Sequence, residues 1–300
     1  MQVTPEMMMG VATGLLATAI YAVSVVVYRS QSDSIRPMAI SSIKMWVALA
    51  FMTALVVLPI RSEPFFIPQE ALAYLILSVI FGAVLGDYFY ITAQERIGVS
   101  YAFPIAMSFP IFTYLLAIAV GFEEPLLSRS AGILLTVIGV ILVSKEQGHD
   151  EDHSVKRKFD KVGVGLALLV AIFFAIGAIL LQVGVEDVSP IDANFVRVAF
   201  GSVAFIPMFL IAKHRGMPTP PQRTVKIISI AGLLGMGLGS LLYVSTIKFV
   251  GAAVTSVLGS LSPLFALPIS IVFLKERITR VAMLGVVATI AGVILVILGA

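Results

Sequence analysis

The sequence predicts an all-α membrane protein with ten transmembrane helices, arranged as two five-helix repeats of inverted topology. Three observations support this prediction: the composition, a gapless internal repeat and ten apolar segments. Hydrophobic residues make up 59% of the 300-residue chain and charged residues only 12%, about half the charged share of a typical soluble domain. Because such a chain cannot cover a water-facing surface, we expect a multi-pass protein of the cell membrane, with the lipid bilayer as a partner.

The two halves of the chain align without a gap at an offset of 153 residues. Pro37 aligns with Pro190, and the run Val-Ile-Leu-Val at residues 140–143 aligns with the identical run at 293–296. Other identical pairs are Gly82 and Gly235, Gly86 and Gly239, Tyr90 and Tyr243, Gly98 and Gly251, Pro110 and Pro263, Glu123 and Glu276, Gly132 and Gly285, and Gly139 and Gly292. So many matches in one register indicate an internal duplication.

Each half contains five apolar segments, and a membrane-spanning helix needs about 20 such residues. In the first half they cover residues 8–28, 38–59, 71–93, 100–121 and 130–143. In the second half they cover residues 162–182, 191–212, 225–247, 252–274 and 279–298. We therefore predict a first repeat at 1–144, a charged linker at 145–161 and a second repeat at 162–300. Transmembrane β-strands would instead alternate apolar and polar residues.

Five helices per repeat is an odd number, so two tandem copies must enter the membrane from opposite sides. Inverted repeats are the usual architecture of secondary transporters, whose substrate site lies near the midplane between the repeats. A duplicated scaffold with no transport role is the alternative interpretation. The predicted loops carry fifteen Lys and Arg residues on the linker side, against Arg61, Arg129 and Lys248 on the side of the termini. By the positive-inside rule, this bias places the linker in the cytoplasm and both termini outside.

Several classes of function are disfavoured by what the sequence lacks. Without cysteine, the chain has no disulfide, thiolate metal site or cysteine nucleophile. His149, His153 and His214 lie in polar loops, and no catalytic motif is present. We therefore expect neither an enzyme, nor a cofactor, nor a metal site, although the linker run GHDEDH could hold a metal ion loosely. Scattered basic residues argue against nucleic acid as a partner. An intramembrane enzyme or a channel would need a catalytic set or a continuous polar pore.

Ionisable residues at bilayer depth are costly and mark functional sites by default. Lys44 and Asp87 lie at similar depth in the second and third apolar segments, so they could form either a structural ion pair or a titrating site. At the 153-residue offset, Lys44 aligns with Arg197 and Asp87 aligns with Ser240. Each half thus carries one cation about two turns deep, near opposite membrane faces. Such cations would attract an anionic or zwitterionic substrate, unless their side chains extend to the headgroups instead.

Polar side chains and prolines within the apolar segments suggest a cavity, because such groups must face protein or water rather than lipid. Pro110 and Pro263 fall in the middle of their segments, where proline would kink the helix. Any of these residues could instead serve only helix packing. The candidate substrate-cavity residues are Tyr21, Ser24, Lys44, Asp87, Tyr90, Gln94, Pro110, Asn194, Arg197, Tyr243, Ser256, Ser260 and Pro263.

The end of the second repeat, FLKERITRVAMLGVVATIAGVILVIL, resembles the EamA domain of the drug/metabolite transporter superfamily. Each half has a basic residue early in its second helix and a proline in its fourth. Each then has an acidic residue nine positions before a glycine: Glu123 before Gly132 and Glu276 before Gly285. The resemblance covers nearly the whole chain, and the second repeat matches more closely. It implies a ten-helix carrier with cytoplasmic termini, the reverse of the loop-charge prediction.

The resemblance also implies a range of substrates, since many carriers of this family export amino acids, other metabolites or drugs. We therefore expect a secondary carrier for a small-molecule metabolite such as an amino acid, working by alternating access and in the direction of export. A multidrug efflux carrier is the alternative within transport. A membrane scaffold or sensor without flux is the alternative from another class. Coupling to a proton or another ion, and assembly into a homo-oligomer, stay open.

Overall fold

The computed structural model describes residues 4–58, 64–147, 160–265 and 280–298, and within these ranges the chain is helical with no strand. Among the described residues, seven helices are long and apolar enough to cross a membrane: Pro5–Tyr28, Pro37–Val57, Gln69–Ile97, Tyr101–Ala119, Lys161–Val185, Pro190–His214 and Gln222–Gly259. Leu127–Val143 and Met283–Leu298 are shorter apolar helices. An all-helical membrane protein is thereby confirmed. The count of ten spans stays a prediction, because the segment at 252–274 lies partly outside the described residues, as does most of the charged linker.

The described residues of the first half form seven α-helices. They are α1 (Pro5–Ser30), α2 (Pro37–Val57), α3 (Gln69–Val79), α4 (Gly86–Ile97), α5 (Val99–Ala106), α6 (Phe109–Ala119) and α7 (Leu127–Gln147). A π-helical turn, Ile80–Leu85, joins α3 to α4. Proline opens α2, where its missing N–H group is not needed and its fixed φ suits the first turn.

The described residues of the second half form α8 (Lys161–Val185), α9 (Pro190–His214), α10 (Gln222–Gly232), α11 (Ser240–Gly259) and α12 (Arg280–Leu298), with a further helical stretch at 262–265. Side-chain caps define two of the starts: Asp160 accepts a hydrogen bond from the Val162 N–H group, and Ser189 accepts one from Asp192. Such caps satisfy backbone donors that the first turn of a helix leaves unpaired. A second π-helical turn, Leu233–Gly239, joins α10 to α11.

The two halves share their backbone irregularities as well as their residues. The π-helical turns begin at Ile80 and Leu233, which are 153 positions apart. Gly98 and Gly251, also equivalent, have φ angles of 83° and 77°, a conformation that favours glycine. At Gly251 the helix axis of α11 breaks, and the Ala252 N–H group donates to Gln182 Oε1 on α8 at 2.6 Å. The duplication therefore reproduces the breaks that shape each half.

The prediction that Pro110 and Pro263 kink continuous helices needs a correction. Helix α5 ends at Ala106, and Pro110 lies in the first turn of the separate helix α6. Pro263 likewise follows a turn at residues 260–261 and lies at the start of the next helical stretch. Proline in a helix interior would clash with the carbonyl four residues earlier, whereas the first turn tolerates it. The chain therefore starts a new helix at each proline.

Helices α7 and α12, which are equivalent in the repeat, cross each other in antiparallel orientation. A Cβ atom on Gly132 would lie 2.7 Å from the carbonyl oxygen of Gly292, and one on Gly285 would lie 2.8 Å from that of Gly139. The 153-residue offset converts each of these contacts into the other, so a local two-fold axis passes through the crossing. Small residues allow this close backbone approach between membrane helices.

The same reciprocity extends through the rest of the fold. Helix α1 of the first half packs on α11 of the second, and the equivalent helix α8 packs on α4. Helix α2 packs against its own equivalent, α9. The largest buried cluster joins residues of both halves, among them Leu75, Leu181 and Leu258. Each half therefore completes the core of the other.

The α7–α12 crossing leads to a stability prediction. Gly139→Ala should lower the free energy of unfolding by about 1–3 kcal/mol, since overpacking forces backbone shifts. The added methyl group would lie 2.6 Å from the Gly285 carbonyl oxygen. Gly165→Ala is the matched control, because a Cβ atom there meets no neighbouring atom within 4 Å, and it gains the same helix propensity. Thermal unfolding in detergent measures both variants. Equal stability of the two would contradict the close crossing.

Candidate functional site

Arg197 is buried about two turns into α9, with 8% of its surface exposed. Its Nε atom donates to Ser78 Oγ on α3 at 3.0 Å, and the Ser78 hydroxyl in turn donates to the Leu75 carbonyl oxygen at 2.7 Å. The terminal nitrogen Nη1 is buried and has no hydrogen-bond partner among the described residues. The side chain therefore lies inside the protein and does not extend to the headgroups.

Polar side chains from both halves surround this guanidinium group. Tyr21 on α1 and Tyr243 on α11 lie close enough to interact with its charge. Tyr21 also lies beside the side chain of Ser240, and the Ser240 hydroxyl donates to Asn194 Oδ1 at 2.7 Å. We refer to Tyr21, Ser78, Asn194, Arg197, Ser240 and Tyr243 as the arginine cluster. Three of the predicted residues from the second half, and Tyr21 from the first, thus meet in one place.

The charge of Arg197 has no carboxylate partner within the described part of the chain. Insertion scales put the cost of an arginine at the centre of a membrane helix at about 2.5–3.5 kcal/mol. Arginine stays protonated in proteins, so deprotonation cannot remove that cost. Neutral hydroxyl groups reduce it only in part. The cluster therefore has an uncompensated positive charge, and an anion is the species that would neutralise it.

Lys44 on α2 and Asp87 on α4 form the second predicted centre. Lys44 Nζ lies 2.8 Å from Asp87 Oδ2, and the two side chains are 19% and 23% exposed. The pairing that their similar depth suggested is therefore present. Helix α10 approaches α2 closely here, since a Cβ atom on Gly232 would lie 2.8 Å from the Lys44 Cα atom. The pair contributes no net charge to the interior.

Two further tyrosines lie beside this ion pair, and one side chain links it to the arginine cluster. The Tyr28 hydroxyl donates to the Ala231 carbonyl oxygen at 3.2 Å, and both Tyr28 and Tyr90 interact electrostatically with Asp87. Tyr90 also lies beside the side chain of Gln94. Tyr21 interacts electrostatically with both Lys44 and Arg197. The ion pair and the arginine cluster therefore adjoin within one polar region.

The predicted serines use their hydroxyl protons within their own helices. Ser24 donates to Ile20, Ser256 to Ala253 and Ser260 to Ser256, in each case to a backbone carbonyl oxygen. Ser24 also lies against Gly235 of the second π-helical turn. Ser256, Ser260 and the helix-starting prolines have no polar contact with the arginine cluster among the described contacts.

Two polar features escaped the sequence analysis. Ser78, which holds Arg197, is a single hydroxyl in the apolar run LAYLILSVIF, and its equivalent in the second half is Ala231. Arg129 was counted as a loop residue, but it is buried and forms an ion pair with Glu123. The alignment of Glu123 with Glu276 was the one available signal for that pair. No group of three or more His, Asp or Glu residues that could hold a metal occurs in the described ranges.

Comparisons with known proteins show what the chain is similar to. A model described as the EamA-like transporter family matches residues 8–145 and again residues 161–298. An uncharacterized transporter of Archaeoglobus fulgidus is 25% identical over 230 residues, which is 77% of each chain. An uncharacterized protein of Methanocaldococcus jannaschii is 28% identical over 130 residues, 43% of this chain and 92% of its own. A solved crystal structure with 14% identity, covering 96% of each chain, shares the fold with a TM-score of 0.78.

The Lys44–Asp87 pair predicts a pattern of mutant stabilities. Lys44→Met and Asp87→Leu should each destabilise the protein by up to about 3 kcal/mol, because each leaves an unpaired charge. The double variant should recover most of that loss. Arg96→Gln is the control, since it breaks an ion pair with Asp160 whose partners are 47% and 28% exposed, and such surface pairs contribute little. Chemical unfolding measures all four variants. A double variant as unstable as the two single losses combined would contradict a structural pair.

Proposed function

Because the chain belongs to the EamA-like transporter family, it is a membrane transporter, and we propose that it is a secondary carrier for a small metabolite such as an amino acid. In this proposal the protein lies in the cell membrane and exports its substrate. It has ten transmembrane helices in two repeats of inverted topology, and it works by alternating access without covalent chemistry.

The observation that carries the proposal is that both halves contribute to the polar region around Arg197. Tyr21 and Ser78 come from the first half, and Asn194, Arg197 and Tyr243 come from the second. In carriers built from inverted repeats, the substrate site lies at the interface between the repeats, near the midplane. A substrate held in the arginine cluster would therefore contact both halves, and a relative movement of the halves would change the side from which it is accessible.

The repeated backbone breaks support the alternating-access part of the proposal. Gly98 and Gly251 interrupt equivalent helices with similar positive φ angles. Each is followed by a short helical stretch, then by a turn and a new helix with Pro110 or Pro263 in its first turn. Helix ends of this kind can absorb changes in φ and ψ when one domain moves against another. Because the breaks are equivalent in the two halves, the same change can open one face or the other.

Ion coupling is assigned to Asp87 in this proposal. The carboxylate is paired with Lys44 in the conformation described here. Movement of α2 against α4 would separate the two side chains, and burial without a cation favours the protonated carboxyl. Asp87 would then carry a proton during one half of the cycle and release it when the pair forms again.

Flux measurements test the proposed function directly. The purified protein in proteoliposomes should exchange at least one radiolabelled amino acid with saturable kinetics, while protein-free liposomes should not. The panel should also contain organic acids and cationic drugs. Flux of cationic drugs alone would indicate a multidrug carrier. No flux of any panel member would contradict a carrier and favour a scaffold or sensor. Arg223→Gln, a change of an exposed residue, is the control for effects of altered charge.

The proposed role of Asp87 predicts a specific loss. Asp87→Asn should still fold and exchange substrate, but its flux should no longer respond to a pH gradient, because an amide cannot bind and release the proton. Asp160→Asn is the control carboxylate. Arg96 donates a hydrogen bond to Asp160 and thereby lowers the pKa of that carboxyl, so Asp160 stays ionised at neutral pH. Stopped-flow fluorescence of a trapped pH dye measures the coupled proton movement. An unchanged response in Asp87→Asn would exclude Asp87 as the proton carrier.

A further inference from the structure

Arg197 has a buried terminal nitrogen, Nη1, for which the described residues supply no hydrogen-bond partner. We propose that this nitrogen binds the carboxylate of a small organic acid or amino acid, so that the substrate class is defined by one carboxylate group. The inference rests on the proposed function, because it assigns a substrate class to the same polar region.

The guanidinium group is held in a fixed position from one side only. Its Nε atom donates to Ser78 Oγ at 3.0 Å, and Ser78 is itself anchored to the Leu75 carbonyl oxygen. This chain of hydrogen bonds orients the guanidinium group and leaves Nη1, which has no partner among the described residues, for another acceptor. A planar group with free N–H donors matches a carboxylate, which can accept two parallel hydrogen bonds.

Two other cations inside the protein, unlike Arg197, have a carboxylate partner in the chain. Lys44 is paired with Asp87, and Arg129 is paired with Glu123. Arg197 has no such carboxylate among the described residues, although it is as deeply buried as Arg129. The chain therefore supplies the counter-charge for Lys44 and Arg129, whereas Arg197 is available to an anionic ligand.

The number of charges favours a carboxylate over a phosphate. One unpaired cation, Arg197, matches a single negative charge, because Asp87 already neutralises the neighbouring Lys44. A phosphate dianion would bring a second negative charge into a region with no second free cation among the described residues. The Tyr243 side chain lies beside the guanidinium group and offers a neutral hydroxyl group to the remaining carboxylate oxygen.

Paired probes that differ only in the acidic group test this inference on the full-length protein. Leucine and leucinamide, lactate and lactamide, and benzoate and benzamide are each added to the purified protein, and its thermal stability is measured. A ligand that binds the native state raises the unfolding temperature. At least one carboxylate should do so for the wild-type protein while its amide does not. Arg197→Gln should weaken that binding about tenfold to a hundredfold, since it removes hydrogen bonds to a charged group.

Two further variants keep the test decisive. Ser78→Ala leaves the charge in place but frees Nε, so it should weaken carboxylate binding less than Arg197→Gln, and it replaces that variant if Arg197→Gln does not fold. Arg223→Gln removes an exposed arginine and should change nothing. The inference is overturned if no carboxylate stabilises the wild-type protein more than its amide, or if Arg197→Gln binds the carboxylate like the wild type. Where Arg197→Gln does not fold, wild-type binding by Ser78→Ala overturns it.

The outcome separates this inference from the proposed function. Carboxylate binding that Arg197→Gln removes, in a protein with no measurable flux, would support the binding site and contradict the carrier. Flux of a substrate without a carboxylate, unchanged in Arg197→Gln, would support the carrier and overturn the inference.

Discussion

The membrane interior offers no water to unpaired polar groups, and this constraint determines where the chain can break its helices. Two irregularities of the second half show how protein contacts satisfy such breaks. The Ala252 N–H group, exposed by the break at Gly251, donates to Gln182 of a neighbouring helix. The second π-helical turn lies against Ser24 and Tyr28 of α1. Buried side-chain donors stay unpaired on both Arg129 and Arg197 within the described residues. Arg129 still has Glu123 as its counter-charge, whereas Arg197 has no carboxylate partner there, and that difference defines the candidate site.

Reciprocal packing follows from the same constraint. One half alone would leave its breaks and polar side chains facing lipid, so the two halves exchange helices: α1 packs on α11, and α8 packs on α4. This exchange brings Tyr21 beside residues of the second half and encloses the polar region between the repeats. The fold and the candidate site therefore depend on one arrangement, and neither half could build the site by itself.

The sequence was informative where a feature is repeated and weak where it is not. The apolar segments located the helices, and the 153-residue offset identified the glycine pairs, because a duplicated feature is seen at two positions. Similar depth predicted the Lys44–Asp87 pair. Ser78 was missed because a single hydroxyl in an apolar run can face any neighbour. Its equivalent in the second half is Ala231, so the repeat carried no signal for this position either. Pro110 was placed inside a helix because hydropathy does not distinguish one continuous helix from two helices with a turn between them. Burial of Arg129 depended on a contact with Glu123 that periodicity cannot reveal.

The crossing of α7 and α12 bears on the ancestry of the protein. Its contacts are isologous, meaning that each helix presents the same residues to the other, as in a symmetric homodimer. Two separate copies of a single repeat would have every group needed to form it. Joining the copies in one chain is thus unnecessary for the contact itself, but it frees the two copies to diverge. The pair Lys44 and Asp87 in one half, against Arg197 and Ser240 in the other, is a divergence that a symmetric dimer of identical chains could not maintain.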